Sequence, residues 1–242
     1  MILQDTIILF LMSLGAAFVQ RVSGFGFGIF IMTVLPYLLP SYGEATTLSG
    51  LLACVTSTII SIRMRHFIRW KKLLPMLITF CIVSFFAVQF VAMAGDGLMK
   101  KILGGILIFA SVWFLCFNDR VRVPSNMPMQ VSMGTLSGML GGLFGMQGPP
   151  VVLYYIATLK SKEEYMAILQ TYFLIGNLFM TCYRARCGFL TSTVLTNWCF
   201  GIVAVLIGTY IGTLVFNRLS MKILRKVIYI YMAISGLIAL FA

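Results

Sequence analysis

Ser23-Gly-Phe-Gly-Phe-Gly28 lies inside the first apolar run of the chain, and Gly145-Met-Gln-Gly-Pro-Pro150 lies inside the fifth. Glycine has no Cβ and proline no amide N–H, so each stretch is expected to break a helix into two shorter pieces. Sliding the sequence by 121 positions places Gly24 on Gly145, and with it Leu48 on Leu169, Arg63 on Arg184 and Leu74 on Leu195. Both halves then share one layout: a broken segment, a helix flecked with polar residues, a basic connector, a long apolar helix, a second connector and a last helix. The layout predicts two tandem copies, a first transmembrane repeat over 1–122 and a second over 123–242.

Outward from these breaks, the apolar runs cover 6–39, 45–62, 73–94, 98–117, 129–159, 163–183, 192–216 and 221–241. Of the 242 residues, 60% are hydrophobic and only 10% are charged, whereas soluble domains carry roughly a quarter charged residues. A soluble globule is excluded. A membrane span takes about 20 apolar residues, so the length is filled by membrane segments, and the expected fold class is an all-α polytopic membrane protein. The first 22 residues lack a basic leader region and read as a retained segment.

The net charge of +12 points to topology and not to nucleic acid, because the basic residues fall in short connectors between apolar runs. If each broken segment crosses once, alternate connectors hold nine and eight Lys/Arg, which is no bias. If each broken segment returns to its starting side, connectors 63–72, 118–125, 158–164 and 217–226 hold thirteen, against four in 95–101 and 184–190. The positive-inside rule favours the second arrangement. It makes the crossings per half odd, so the second copy enters the membrane upside down, giving two inverted repeats, each a broken hairpin followed by three transmembrane helices. Both termini are then extracytoplasmic in a multi-pass protein of the cell membrane.

Non-helical backbone is tolerated at membrane depth only where protein buries it or it lines a watery cavity. Two such breaks therefore predict an enclosed site, and N–H groups at the start of each following half-helix favour an anion there. The candidate substrate-binding residues at the breaks are Gln20, Arg21, Ser23, Gly24, Phe25, Gly26 and Gly28 in the first copy. In the second they are Gly145, Met146, Gln147, Gly148 and Pro149. The competing reading is close helix packing by small residues. Arg21 is the one basic residue outside the connectors, offering a planar fork to an oxyanion or else snorkelling to the interface. Ser49 and Thr56 in one copy map onto Gln170 and Asn177 in the other, each pair two turns apart on a helix. They are expected to line the substrate path or to bond between helices.

No metal or cofactor is expected. The six cysteines are scattered as small hydrophobes, and the single histidine, His66, sits in a basic connector. All six carboxylates lie at segment ends or in connectors, so coupling to protons is not visible; Glu44, Glu163 and Glu164 serve equally well as helix-start charges. The chain has no Walker-type phosphate loop.

With Gly24–Gly28, the run Gly145-Met-Gln-Gly-Pro-Pro-Val-Val-Leu-Tyr154 and the connector ending in Trp70-Lys71, the chain resembles the TauE/SafE sulfite-exporter family of membrane permeases over essentially its whole length. Family members carry a Gly-rich signature in each half, from which Phe25, Phe27, Met146, Gln147 and Pro149 depart. The resemblance implies a secondary transporter that exports small sulfur-containing anions such as sulfite or organosulfonates. Its partners are the anionic substrate and the bilayer, with no nucleic acid, and self-association into a homo-oligomer is left open. A passive anion channel is the principal alternative. An intramembrane enzyme built on Ser23 lacks a base, and a non-transporting scaffold would bind no small anion.

Overall fold

The computed structural model describes residues 3–99, 101–103, 105, 124–220 and 223. Among these the chain is all α. The elements are α1 (Leu3–Ser23), α2 (Phe27–Ile31), α3 (Leu35–Leu38), α4 (Tyr42–Arg63), a 3-10 turn at Arg65–Phe67, α5 (Trp70–Met93), α6 (Met127–Phe144), α7 (Gly148–Thr158), α8 (Lys162–Arg186) and α9 (Ser192–Arg218). Five of them, α1, α4, α5, α8 and α9, are long and apolar enough to cross a membrane. The expected segments 98–117 and 221–241 lie outside the described residues, apart from Leu98, Met99, 101–103, 105 and Ile223.

Both breaks fall where the glycines predict, and both return the chain upon itself. The ring of Phe30 fills the space beside Gly15, two turns before the first break. On the other side Gln130 Nε2, near the start of α6, donates to the Tyr154 hydroxyl on α7 at 2.9 Å. The return arms differ. After the first break the chain forms two short helices, α2 and α3; after the second it forms the single helix α7, whose first turn holds Pro149 and Pro150.

Helix pairing is preserved when the halves are exchanged. The chief pairs are α1 on α9 and α5 on α6, with α4 on α8 between them and the cross pairs α4–α9 and α5–α8 completing the bundle. Glycine allows the closest of these approaches. Gly208 faces the Leu14 carbonyl and Gly212 the Phe18 carbonyl across α1–α9, while Gly134, Gly138 and Gly142 face Met76, Phe80 and Ser84 across α5–α6. Without a hydrophobic drive between helices in lipid, contacts of this kind and buried hydrogen bonds hold the bundle. The polar residues therefore face inward: Ser49, Thr56, Ser57, Gln170 and Asn177 on the central pair are buried, whereas Ile78, Ile82, Phe86 and Phe90 on α5 and Val203, Tyr210 and Leu214 on α9 are exposed.

Contacts at the bundle's ends sort the connectors into two groups. Lys72 Nζ lies 2.9 Å from Glu164 Oε1, and Lys162 Nζ donates to the Leu219 carbonyl at 2.6 Å, which joins 63–72, 158–164 and 217–226 at one end. At the other end the Tyr42 amide donates to Asp96 and the Thr191 hydroxyl to Glu44. These are the groups that the thirteen-to-four count assigns, except that the connector 118–125 lies largely outside the described residues; the single-crossing arrangement would separate Lys72 from Glu164. One cation in that count has a different place. Arg184, read as a connector residue, is buried at 1% exposure in the last turn of α8, so the connector 184–190 carries one basic residue, Arg186. α4 and α8 run antiparallel, with Thr46 beside Arg184 at one end and Ser61 beside Thr171 toward the other.

Candidate functional site

The two breaks meet. A Cβ on Gly28 would overlap the carbonyl oxygen of Gly145, and one on Gly148 would stand 3.1 Å from the Phe25 ring. The chain reaches this geometry through left-handed backbone at Gly24 (φ 93°), Gly26 (φ 97°) and Gly145 (φ 69°). Those values strain any residue with a Cβ.

At the junction lies a cavity of about 30 Å³ with a mixed polar and apolar lining. Of the expected residues, Gln20, Gly26, Gly28, Ser49, Gly145, Met146, Gln147, Gly148 and Asn177 line it. Phe27, Ile29, Gly50, Ala53 and Phe173 complete the lining. None of these side chains is charged. Gln147 Nε2 donates to Asn177 Oδ1 at 3.1 Å, which leaves Gln147 Oε1 buried without a hydrogen-bond partner; Gln20 Oε1 is in the same condition. A volume of about 30 Å³ accommodates water, which needs at least about 10–15 Å³.

The remaining expected residues brace the site. Gln170 Nε2 donates to the Gly24 carbonyl at 2.6 Å, and Gln170 Oε1 accepts from Gln20 Nε2 and from the Ser57 hydroxyl, both at 2.9 Å. The Ser23 hydroxyl lies 2.8 Å from both the Val19 and the Phe25 carbonyl oxygens, either of which takes its one proton, and accepts from the Phe25 amide at 3.3 Å, while the Ser23 carbonyl accepts from the Tyr165 hydroxyl at 3.0 Å. Thr56 bonds to Thr209 on α9 at 3.0 Å. Phe25 packs in the core, and Pro149 occupies the second position of α7.

The half-helix starts are unequal as donors. In α2, Phe27, Gly28 and Ile29 hold N–H groups for which a first turn has no internal acceptor, and all three line the cavity. In α7 the second and third positions are Pro149 and Pro150, which have no N–H to offer. N–H groups are expected at the start of each following half-helix, and the first break is the richer donor.

Arg21 is 2% exposed but is not among the cavity-lining residues. Its Nε donates to Thr213 at 2.9 Å and its guanidinium stacks 4.3 Å from the Phe216 ring centre. A second buried arginine among the described residues, Arg184, lies among sequence neighbours that read as a basic connector. Its Nη1 donates to the Thr46 carbonyl at 3.0 Å, and Nη2 to the Gly141 and Gly142 carbonyls at 3.1 and 3.0 Å, in the last turn of α6 just before the second break. The 121-residue offset pairs it with Arg63, which is exposed, so no sequence signal marks its burial. Among the described residues neither Arg21 nor Arg184 is ion-paired; the ion pairs are those of Glu164 with Lys72 and Arg69. No cluster of metal-ligating residues occurs among the described residues.

The sulfite exporter TauE/SafE family profile matches residues 9–238. A relative described as a probable sulfite/organosulfonate exporter TauE, from Cupriavidus necator, is 22% identical over 207 residues, covering 82% of this chain and 80% of its own length. No solved structure matches the chain.

Proposed function

We propose a function from one premise: this chain belongs to the sulfite exporter TauE/SafE family. It is a membrane exporter of small anions. In our reading the exported anion is sulfite or a small organosulfonate, as the name of the Cupriavidus necator relative suggests, and it binds where the breaks meet.

The observation that carries this reading is the junction itself, with backbone of both halves and uncharged polar side chains around one cavity. The first three residues of α2 are among its lining, and free amide donors of a first turn suit an oxyanion. We favour a carrier over a passive channel because broken segments of two halves meeting at one site are the arrangement of alternating-access transporters. Alternating access then takes the form of one half rocking against the other about the junction. The antiparallel course of α4 and α8 supports inverted repeats over 1–122 and 123–242. The grouping of basic connectors supports both termini outside the cell membrane, with 63–72, 118–125, 158–164 and 217–226 in the cytoplasm.

Counterflow in proteoliposomes tests the proposal. Vesicles loaded with unlabelled sulfite should accumulate labelled sulfite transiently, and a thermal-shift series with thiosulfate, sulfoacetate, taurine and simple carboxylates ranks the substrates. Currents without saturation or counterflow would indicate the channel instead.

A further inference from the structure

Gly50 lines the cavity, and the space beside its Cα is just wide enough for one methyl group. A methyl group there would sit 3.6 Å from Thr181 Oγ1 and 3.7 Å from both Arg184 Nη1 and Asn177 Oδ1. Three polar atoms thus face the bare side of one cavity-lining glycine, and one belongs to a buried guanidinium. Thr181 Oγ1 is buried without a hydrogen-bond partner. Asn177 itself lines the cavity.

Arg184 also closes the end of α6 through the Gly141 and Gly142 carbonyls. A helix C-terminus presents about half a negative charge, whereas guanidinium carries a full positive one. With no ion-paired carboxylate on Arg184 among the described residues, the cap leaves positive charge uncompensated. That excess lies directly behind a cavity whose own lining carries none. A cap alone would need neither the bare face of Gly50 nor an unpartnered hydroxyl beside it.

We propose that Arg184 is the specificity-determining charge of the anion site, acting on a small oxyanion in the cavity through the niche left open by Gly50, with Thr181 as an additional donor. The inference rests on the exporter reading above. It assigns to Arg184 the electrostatic role that the sequence suggests for Arg21.

The test measures binding of radiolabelled sulfite to the purified full chain in lipid nanodiscs, with thermal melting of every variant. Arg184→Gln should weaken sulfite binding by at least about tenfold, since it removes the uncompensated charge from a low-dielectric site. Arg184→Lys keeps charge but loses the two-pronged cap; it should melt below wild type yet bind sulfite within a few-fold of it. Gly50→Ala meets only ordinary contacts, so it should melt no lower than wild type while binding sulfite several-fold more weakly. Where Arg184→Gln does not fold, the Lys and Ala variants decide. Affinities that follow melting temperature alone, or wild-type binding by Gly50→Ala, would overturn the role of Arg184 and leave the exporter reading standing. A wild-type protein that binds neither sulfite nor methanesulfonate would overturn both.

Discussion

The first and second breaks occupy corresponding places in the two halves, yet different chemistry holds each. The first has two left-handed glycines, Gly24 and Gly26, and a return arm in two pieces. Besides the local bonds of the Ser23 hydroxyl, its braces come from the other half, through Gln170 on the Gly24 carbonyl and Tyr165 on the Ser23 carbonyl. The second has one left-handed glycine, Gly145, a proline pair and a continuous return helix. Its braces come largely from its own half: the Ser137 hydroxyl donates to the Gln147 carbonyl at 2.6 Å, Tyr172 donates to Ser137 at 2.8 Å, and Arg184 closes the end of α6. One break is therefore stiffened from outside and the other from within. The first, whose braces span the interface between halves, is the one that rocking of the halves would release.

The largest effect should come from the point where the breaks touch. Gly28→Ala places a methyl on the Gly145 carbonyl oxygen, so it should abolish counterflow and lower stability at or above the upper end of the ~1–3 kcal/mol cost of overpacking. Gly148→Ala, which asks the Phe25 ring to yield by a few tenths of an ångström, should cost near the lower end of that range and retain part of the transport. Equal losses for the two would erase the difference between the breaks.

Next in size is the brace that crosses between halves. Gln170→Leu strands the Gly24 carbonyl and removes the acceptor shared by Gln20 Nε2 and the Ser57 hydroxyl, and a buried polar group left unpaired costs about 1–3 kcal/mol. Melting should fall accordingly, and proteolysis should open the chain at Ser23–Phe27 before it opens at Phe144–Gly148. Preferential cleavage at the second break would reverse the assignment of which break depends on the other half.

Arg21 sharpens the comparison on the side of charge. With its guanidinium on Phe216 and Thr213, Arg21→Gln should lower stability by about 0.5–2 kcal/mol and leave sulfite affinity essentially unchanged. An affinity loss at undiminished melting temperature would return Arg21 to the site. The smallest effect belongs to Pro149→Ala, which keeps the helical backbone and should cost only about 0.4–1 kcal/mol, through greater freedom of the unfolded chain.

Much of this arrangement was legible in the sequence because glycine and proline report backbone geometry directly. Gly24, Gly26 and Gly145 all take conformations that require glycine, and the duplicated spacing announces that two such breaks belong together. The polar helix faces were legible as buried but not as to role. Ser49 and Asn177 reach the cavity, whereas Thr56 and Gln170 bond across helix interfaces. Residues one or two turns apart share a face, and the final direction is set by which neighbour lies opposite, which periodicity does not encode. Arg184 was hidden for a related reason. Its neighbours Arg186 and Gly188 mark a helix end, and the depth of Arg184 follows from α4 and α6 packing over it. The donor asymmetry was present in the letters, since Pro149 and Pro150 lack N–H groups whatever the fold.

The central claim is that a small anion binds where the two breaks meet, and equilibrium binding of radiolabelled sulfite to wild type and Ser49→Leu tests it most directly. Ser49 lines the cavity, and three additional apolar carbons at this position fill a space of about 30 Å³ while leaving the braces of Gln170 and Arg184 in place. The account predicts saturable binding by wild type and none by Ser49→Leu at a melting temperature within a few degrees of wild type. Sulfite binding by a folded Ser49→Leu at wild-type affinity would contradict it and place the site elsewhere in the membrane domain.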